Sequence, residues 1–122
     1  MTLESKLLEL KDEYKILNLS IQDNNIVMTI NDINFGVMKN GEPDIKILKL
    51  GKALVYFNKF EKELIKRGHY GKYAIVYPEG EVEIAITQSD AFNHVKPDQL
   101  CHIACIGGDG PDLLCNENDA KR

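Results

Sequence analysis

No stretch of this 122-residue chain approaches the roughly 20 consecutive apolar residues that a membrane-spanning helix needs. The N-terminal MTLESKLLELKDEYK mixes acids and bases among its leucines, which excludes a secretory h-region, so the expected location is cytoplasmic. Cysteine is scarce and odd in number. Three residues do not close into a disulfide framework, and reduced thiols are the expectation. The sequence has no Cys-x-x-Cys, no G-x-S-x-G and no H-E-x-x-H, and His69, His94 and His102 are scattered. A nucleophile, a base and an orienting group within reach of one another are therefore not legible, and no catalytic residue is expected. Repeats and low-complexity runs are missing too. With 43% apolar and 28% charged residues the chain has the balance of a folding unit, long enough for one core and short for two.

Charge is present but segregated. The net charge is −4, yet residues 1–45 carry 8 acids against 4 bases, residues 46–72 carry 8 bases against 2 acids, and residues 79–122 carry 9 acids against 3 bases. A basic middle thus lies between acidic flanks. Within it, KALVYFNKFEKELIKR (52–67) has the plainest periodicity of the chain. Ala53, Phe57, Phe60 and Leu64 line one helical face with Leu54 and Ile65 at its edge, and Lys52, Lys59, Lys62 and Lys66 gather opposite. Gly68 stands where a helix C-cap belongs.

Around that helix the periods alternate. Leu3, Leu7, Leu10 and Tyr14 predict an N-terminal helix, after which Leu17, Leu19 and Ile21, the turn QDNN, and Ile26, Met28 and Ile30 predict a hairpin. Two more short strands are expected at 35–38 and 45–50, parted by KNGEPD. Beyond the basic helix, Tyr73, Ile75 and Tyr77, then Val82, Ile84 and Ile86, alternate about the loop PEG, with Glu81 and Glu83 on the wet side. Ser89 is placed to cap a short helix through Val95 that Pro97 ends, and LCHIACI is apolar on both faces, as a buried strand is. The order α-β-β-β-β-α-β-β-α-β argues α+β with a largely antiparallel sheet. One domain is expected over residues 1–107, with 108–122 a flexible acidic tail.

The segment CHIACIGGDGPDLLC (101–115) offers several sites at once. Cys101, His102, Cys105 and Cys115 are the donor types zinc takes, but an extended backbone puts Cys101 and Cys105 roughly 13 Å apart, where two sulfurs of one zinc lie within about 4 Å. Alternation also sends His102 to the face opposite both. No metal is expected, and the same separation exceeds the limit of about 7 Å between Cα atoms for a disulfide. Only Cys115 is placed to swing back to another thiol. Gly107, Gly108, Asp109 and Gly110 resemble the nucleotide-binding turn of the diacylglycerol kinase and NAD kinase group, which implies a phosphate loop. That group continues with Thr and a helix in a longer α/β chain, where this sequence has Pro111. Gly107-Gly108 also resembles the leader cleavage site of ribosomal peptide precursors, though Cys105 and His102 occupy the positions that are apolar there.

Residues 59–106 resemble a group of small uncharacterised prokaryotic domains in which a basic helix leads into GKYAIV, a tight turn, GEV and a short helix near TxSDA. Gly71, Lys72, Tyr73, Ala74, Ile75, Val76, Gly80, Glu81 and Val82 carry the likeness. It implies the helix-and-hairpin fold and no activity. The function expected from all this is non-catalytic binding of another macromolecule, with a protein as the expected partner, in an adaptor, immunity or inhibitor, or antitoxin-like role. Lys52, Lys59, Lys62, Lys66, Arg67 and Tyr70 are the expected contact residues, since complementary charge speeds encounter and tyrosine anchors interfaces. Nucleic acid is disfavoured by the acidic whole and by the lack of interleaved aromatics, and no cofactor is expected. The alternatives are a peptide precursor with a folded leader, and a phosphate-binding enzyme using the Gly-Gly-Asp-Gly turn.

Overall fold

The structure is a computed structural model describing residues 2–96, 98–107 and 113–115. Helix α1 (Leu3–Glu13) begins at Thr2, whose hydroxyl accepts from the Ser5 amide, and it turns Leu10 inward. The period-two segments that follow form an antiparallel meander of β1 (Leu19–Gln22), β2 (Asn25–Ile30) and β3 (Ile33–Gly36), with Met28 opposite both Leu19 and Phe35. A small hairpin, β4 (Met38–Lys39) and β5 (Glu42–Pro43), comes next. The three turns, Asp23-Asn24, Asn31-Asp32 and Asn40-Gly41, hold both central residues at positive φ. That geometry matches the strand twist of two-residue hairpins, and Asn, Asp and Gly tolerate it best.

Residues 45–50, expected as a strand, are instead the first turns of α2 (Ile45–Lys66). Asp44 caps this helix, its carboxylate accepting from the Ile47 amide at 3.4 Å. IKILKL begins as an alternation that Ile47-Leu48 breaks, and Ile47, Leu50, Gly51 and Leu54 carry the i, i+3, i+4, i+7 pattern. Gly51 looks like a helix breaker and serves close packing: a Cβ there would overlap the Met28 sulfur and lie 3.4 Å from Ile30 Cδ1. Because the glycine leaves that space, the helix backbone lies directly on β2. Leu48 and Leu54 thereby complete a core with Leu10, Tyr14, Leu17, Ile26, Met28, Ile30 and Val37.

From Ala53 onward α2 turns a different face, Ala53, Phe57 and Leu64, to a second sheet. This sheet is antiparallel throughout, ordered β7-β6-β8-β9, from β6 (Tyr73–Val76), β7 (Val82–Ala85), β8 (Cys101–Cys105) and β9 (Leu113–Cys115). Its α2 side carries Ala74, Val76, Ala104 and Ile106. The reverse side carries Ile75, Tyr77, Cys101 and Ile103, covered by Ala91 and Val95 at α3 (Gln88–His94). The result is helix, sheet and helix in layers. Thr87, rather than Ser89, caps α3, its hydroxyl accepting from the Asp90 amide at 3.0 Å; Pro97, the expected stop, lies outside the described residues.

The α+β class, the antiparallel pairing and the helix order agree with expectation. Of the expected tail, residues 113–115 pair with β8 as β9, and the remainder lies outside the described residues. Among the described residues no helix is long and apolar enough to cross a membrane.

Candidate functional site

The C-terminal end of α2 brings together four of the residues the sequence marked for contact, Lys59, Lys62, Lys66 and Tyr70. Gly68, at φ +87, ends the helix with two reversed hydrogen bonds, from its own amide to Ile65 O and from the His69 amide to Leu64 O, both about as short as helical bonds. This Schellman turn sends the chain back over the helix end and lays Tyr70 against Gly107, where a Cβ would stand only 2.6 Å from Tyr70 Cδ2 and 3.3 Å from Ile65 Cδ1. Gly107 is also at φ +69, so neither its conformation nor its surroundings suit a side chain. Its amide donates to Glu61 Oε2 at 3.0 Å, tying the end of β8 to the helix.

Tyr70 is 67% exposed and Ile65 39%, forming an apolar step on the surface. Lys62 and Lys66 flank Ile65 on the helix, and Lys59 lies one turn before Lys62; all three are exposed, and none makes an ion pair or hydrogen bond among the described residues. Like charges three and four residues apart on a helix repel, by about 0.2–0.5 kcal/mol per pair. The two other predicted contact residues go elsewhere. Arg67 is held by Glu63 at 3.2 Å, and Lys52 is half-buried with its ammonium 5.9 Å from the Tyr14 ring. Ile65 is the member that sequence reasoning missed, because it sits on the edge of the helix's apolar stripe and looks like core.

The basic groups at the other end of α2 have acids for company. Lys46 and Lys49 line a groove of about 330 Å³ that Glu79 and Asp98 also line. Glu81 and Glu83, which resemble paired acids in the sequence, converge on Lys96, at 2.9 and 4.0 Å, and its ammonium lies 4.9 Å from the Tyr77 ring centroid. The Glu81 hydrogen bond holds the Lys96 pKa above its ordinary value. These acids are tied into a surface network, and the Tyr77 hydroxyl accepts from the Lys96 amide beneath it.

No family model matches this chain, and no curated protein and no solved structure matches it.

What its sites can do follows from their own chemistry. β8 is extended, so Cys101 and Ile103 face α3 while His102 turns to the α2 side and meets Phe57 edge-on, ring centroids 5.8 Å apart. Burial pushes the His102 imidazole down to about 4, leaving it neutral at ordinary pH. Among the described residues no group of three or more His, Cys, Asp or Glu is arranged to hold a metal. Of the predicted Gly-Gly-Asp-Gly turn, Gly108, Asp109 and Gly110 lie outside the described residues. The first amide of the turn, at Gly107, is already taken by the Glu61 carboxylate, which an arriving phosphate would have to displace against like charge.

Proposed function

We propose that this chain is a non-catalytic binding protein whose partner is a protein with an acidic face, docking on the C-terminal half of α2. The observation that carries the reading is the uncompensated lysine set, Lys59, Lys62 and Lys66, beside the exposed pair Ile65 and Tyr70. Three like charges on one helix face are a local cost that acidic groups of a partner would remove, and their field speeds the encounter. Ile65 and Tyr70 supply the desolvated centre such an interface needs, Tyr70 held in place by its contact with Gly107. The chain on either side of residues 46–72 is mostly acidic and the net charge is −4, as expected for selection of one partner rather than attraction to any polyanion. Adaptor, immunity or inhibitor, and antitoxin-like proteins work in this way.

The test is affinity capture on the full chain at rising salt, followed by binding to the recovered partner. The wild type should retain one dominant partner at low salt and lose it progressively as ionic strength rises. Reversing Lys59, Lys62 and Lys66 to Glu should weaken binding at least tenfold and flatten the salt dependence, and Tyr70→Ala should weaken it with the salt slope unchanged. Equal binding by all three forms overturns the reading.

A further inference from the structure

We propose that Cys101 and Cys115 form a reversible cross-strand disulfide that clamps residues 113–115 to the sheet. The juxtaposition lies in the backbone: in the β8–β9 ladder Cys101 is the direct antiparallel partner of Cys115. Directly opposed residues of such a ladder share a face and have Cα atoms about 4.5–5.5 Å apart, inside the window of about 4.4–6.8 Å that a disulfide spans. Cys105 is out of reach of both. It lies four positions along the extended strand from Cys101, roughly 13 Å away, and its own ladder partner in β6 is Tyr73. Of the three thiols in the chain, one pairing is therefore geometrically open.

The two strands are unequal, and that sets the order of reaction. Cys101 is 0% exposed in the layer between sheet and α3. Among the described residues β9 is a three-residue edge strand paired with β8 alone, so it can part from β8 while the other ladders hold. Oxidation by a small disulfide such as glutathione disulfide then runs in two exchanges. The Cys115 thiolate attacks one glutathione sulfur, forming a mixed disulfide and releasing the first glutathione thiolate. As β9 re-pairs, the Cys101 thiolate attacks the Cys115 sulfur and releases the second. Two protein thiols are oxidised to one disulfide, one glutathione disulfide is reduced to two glutathiones, and the two thiol protons end on those. Excess reduced glutathione reverses both steps. The proposal shares no residue with the docking surface and does not depend on it.

The experiment equilibrates the native full chain across a series of glutathione redox buffers, quenches with an alkylating agent, and reads intact mass and peptide maps. The expected result is loss of two hydrogen atoms with a peptide joining Cys101 to Cys115, Cys105 remaining alkylated, and a higher melting temperature that dithiothreitol reverses. Cys105→Ser should keep the cross-link and Cys115→Ser should lose it; because Cys101 is buried, Cys115→Ser carries the test if Cys101→Ser fails to fold. A persistent glutathione adduct alone, a link through Cys105, links only between chains, or no reaction until the protein is denatured each overturns the proposal.

Discussion

The two halves of α2 make opposite use of one helix. The first half is enclosed: Leu48, Leu54 and the bare backbone of Gly51 press on the meander, Lys52 lies near the Tyr14 ring, and Lys46 and Lys49 share a groove with acids. The second half buries Phe57 and Leu64, in line with Ala53 before them, in the other sheet and leaves Lys59, Lys62 and Lys66 without counter-ions among the described residues. A helix that joins two sheets must change its buried face along its length, and the face it gives up becomes surface. The difference teaches that a lysine stripe drawn on a helical wheel is not one surface, since packing divides it into a structural part and an available part.

Emptying each half of its core is the most severe way to break the comparison. Phe57→Ala should cost about 3–5 kcal/mol and Leu48→Ala about 2–5 kcal/mol, as both residues are buried to within a few per cent. If the shared helix makes the molecule one cooperative unit, each variant will lower a single unfolding transition in circular dichroism and fluorescence together. Two transitions, one per variant, would show that α2 joins the sheets without coupling them.

A second effect belongs to the C-terminal half alone. Burial lowers the His102 imidazole from 6.5 to about 4, so between those values the unfolded chain takes up a proton that the fold refuses. Stability from this group is complete above pH 6.5 and is lost as pH falls towards 4, by roughly 3 kcal/mol in all. Urea midpoints measured over that window should fall more steeply in the wild type than in His102→Phe, which keeps a ring beside Phe57 and removes the titration. Parallel slopes would contradict the burial argument.

The enclosed half offers a smaller contrast. Gly51→Ala should gain about 1 kcal/mol of helix propensity and lose about 1–3 kcal/mol to overpacking against Met28, for a net destabilisation read as a lower urea midpoint. Smallest of all, Lys62→Gln should raise stability by a few tenths of a kcal/mol by relieving Lys59 and Lys66, while Lys46→Gln should not. Thermal unfolding at low salt is the sensitive measurement, and the gain should vanish as salt screens the pair.

Local signals were legible where neighbouring residues decide the outcome. The Gly68 turn follows the rule that glycine takes the left-handed cap, whereas the N-caps were not read: Thr87 caps α3 where Ser89 was expected, and Asp44 caps a segment expected as a strand. Residues 45–50 were misread because six residues are too few to separate a period of two from one of 3.6. Of the contact set, Lys59, Lys62, Lys66 and Tyr70 were readable as charge and exposure candidates. Ile65 was not, since an apolar residue on the edge of a stripe looks the same whether or not another layer covers it.

By itself the sequence determined the kinds of element and the alternation that parts His102 from Cys101 and Cys105, because side-chain direction in a strand or helix depends only on residues a few positions away. Only the tertiary structure decided which face each half of α2 buries, that Gly107 lies beneath Tyr70, and that Cys115 stands opposite Cys101. Those pairings join distant parts of the chain, and they are selected by which apolar faces can pack together without leaving backbone groups unpaired, a condition that no short window of residues contains.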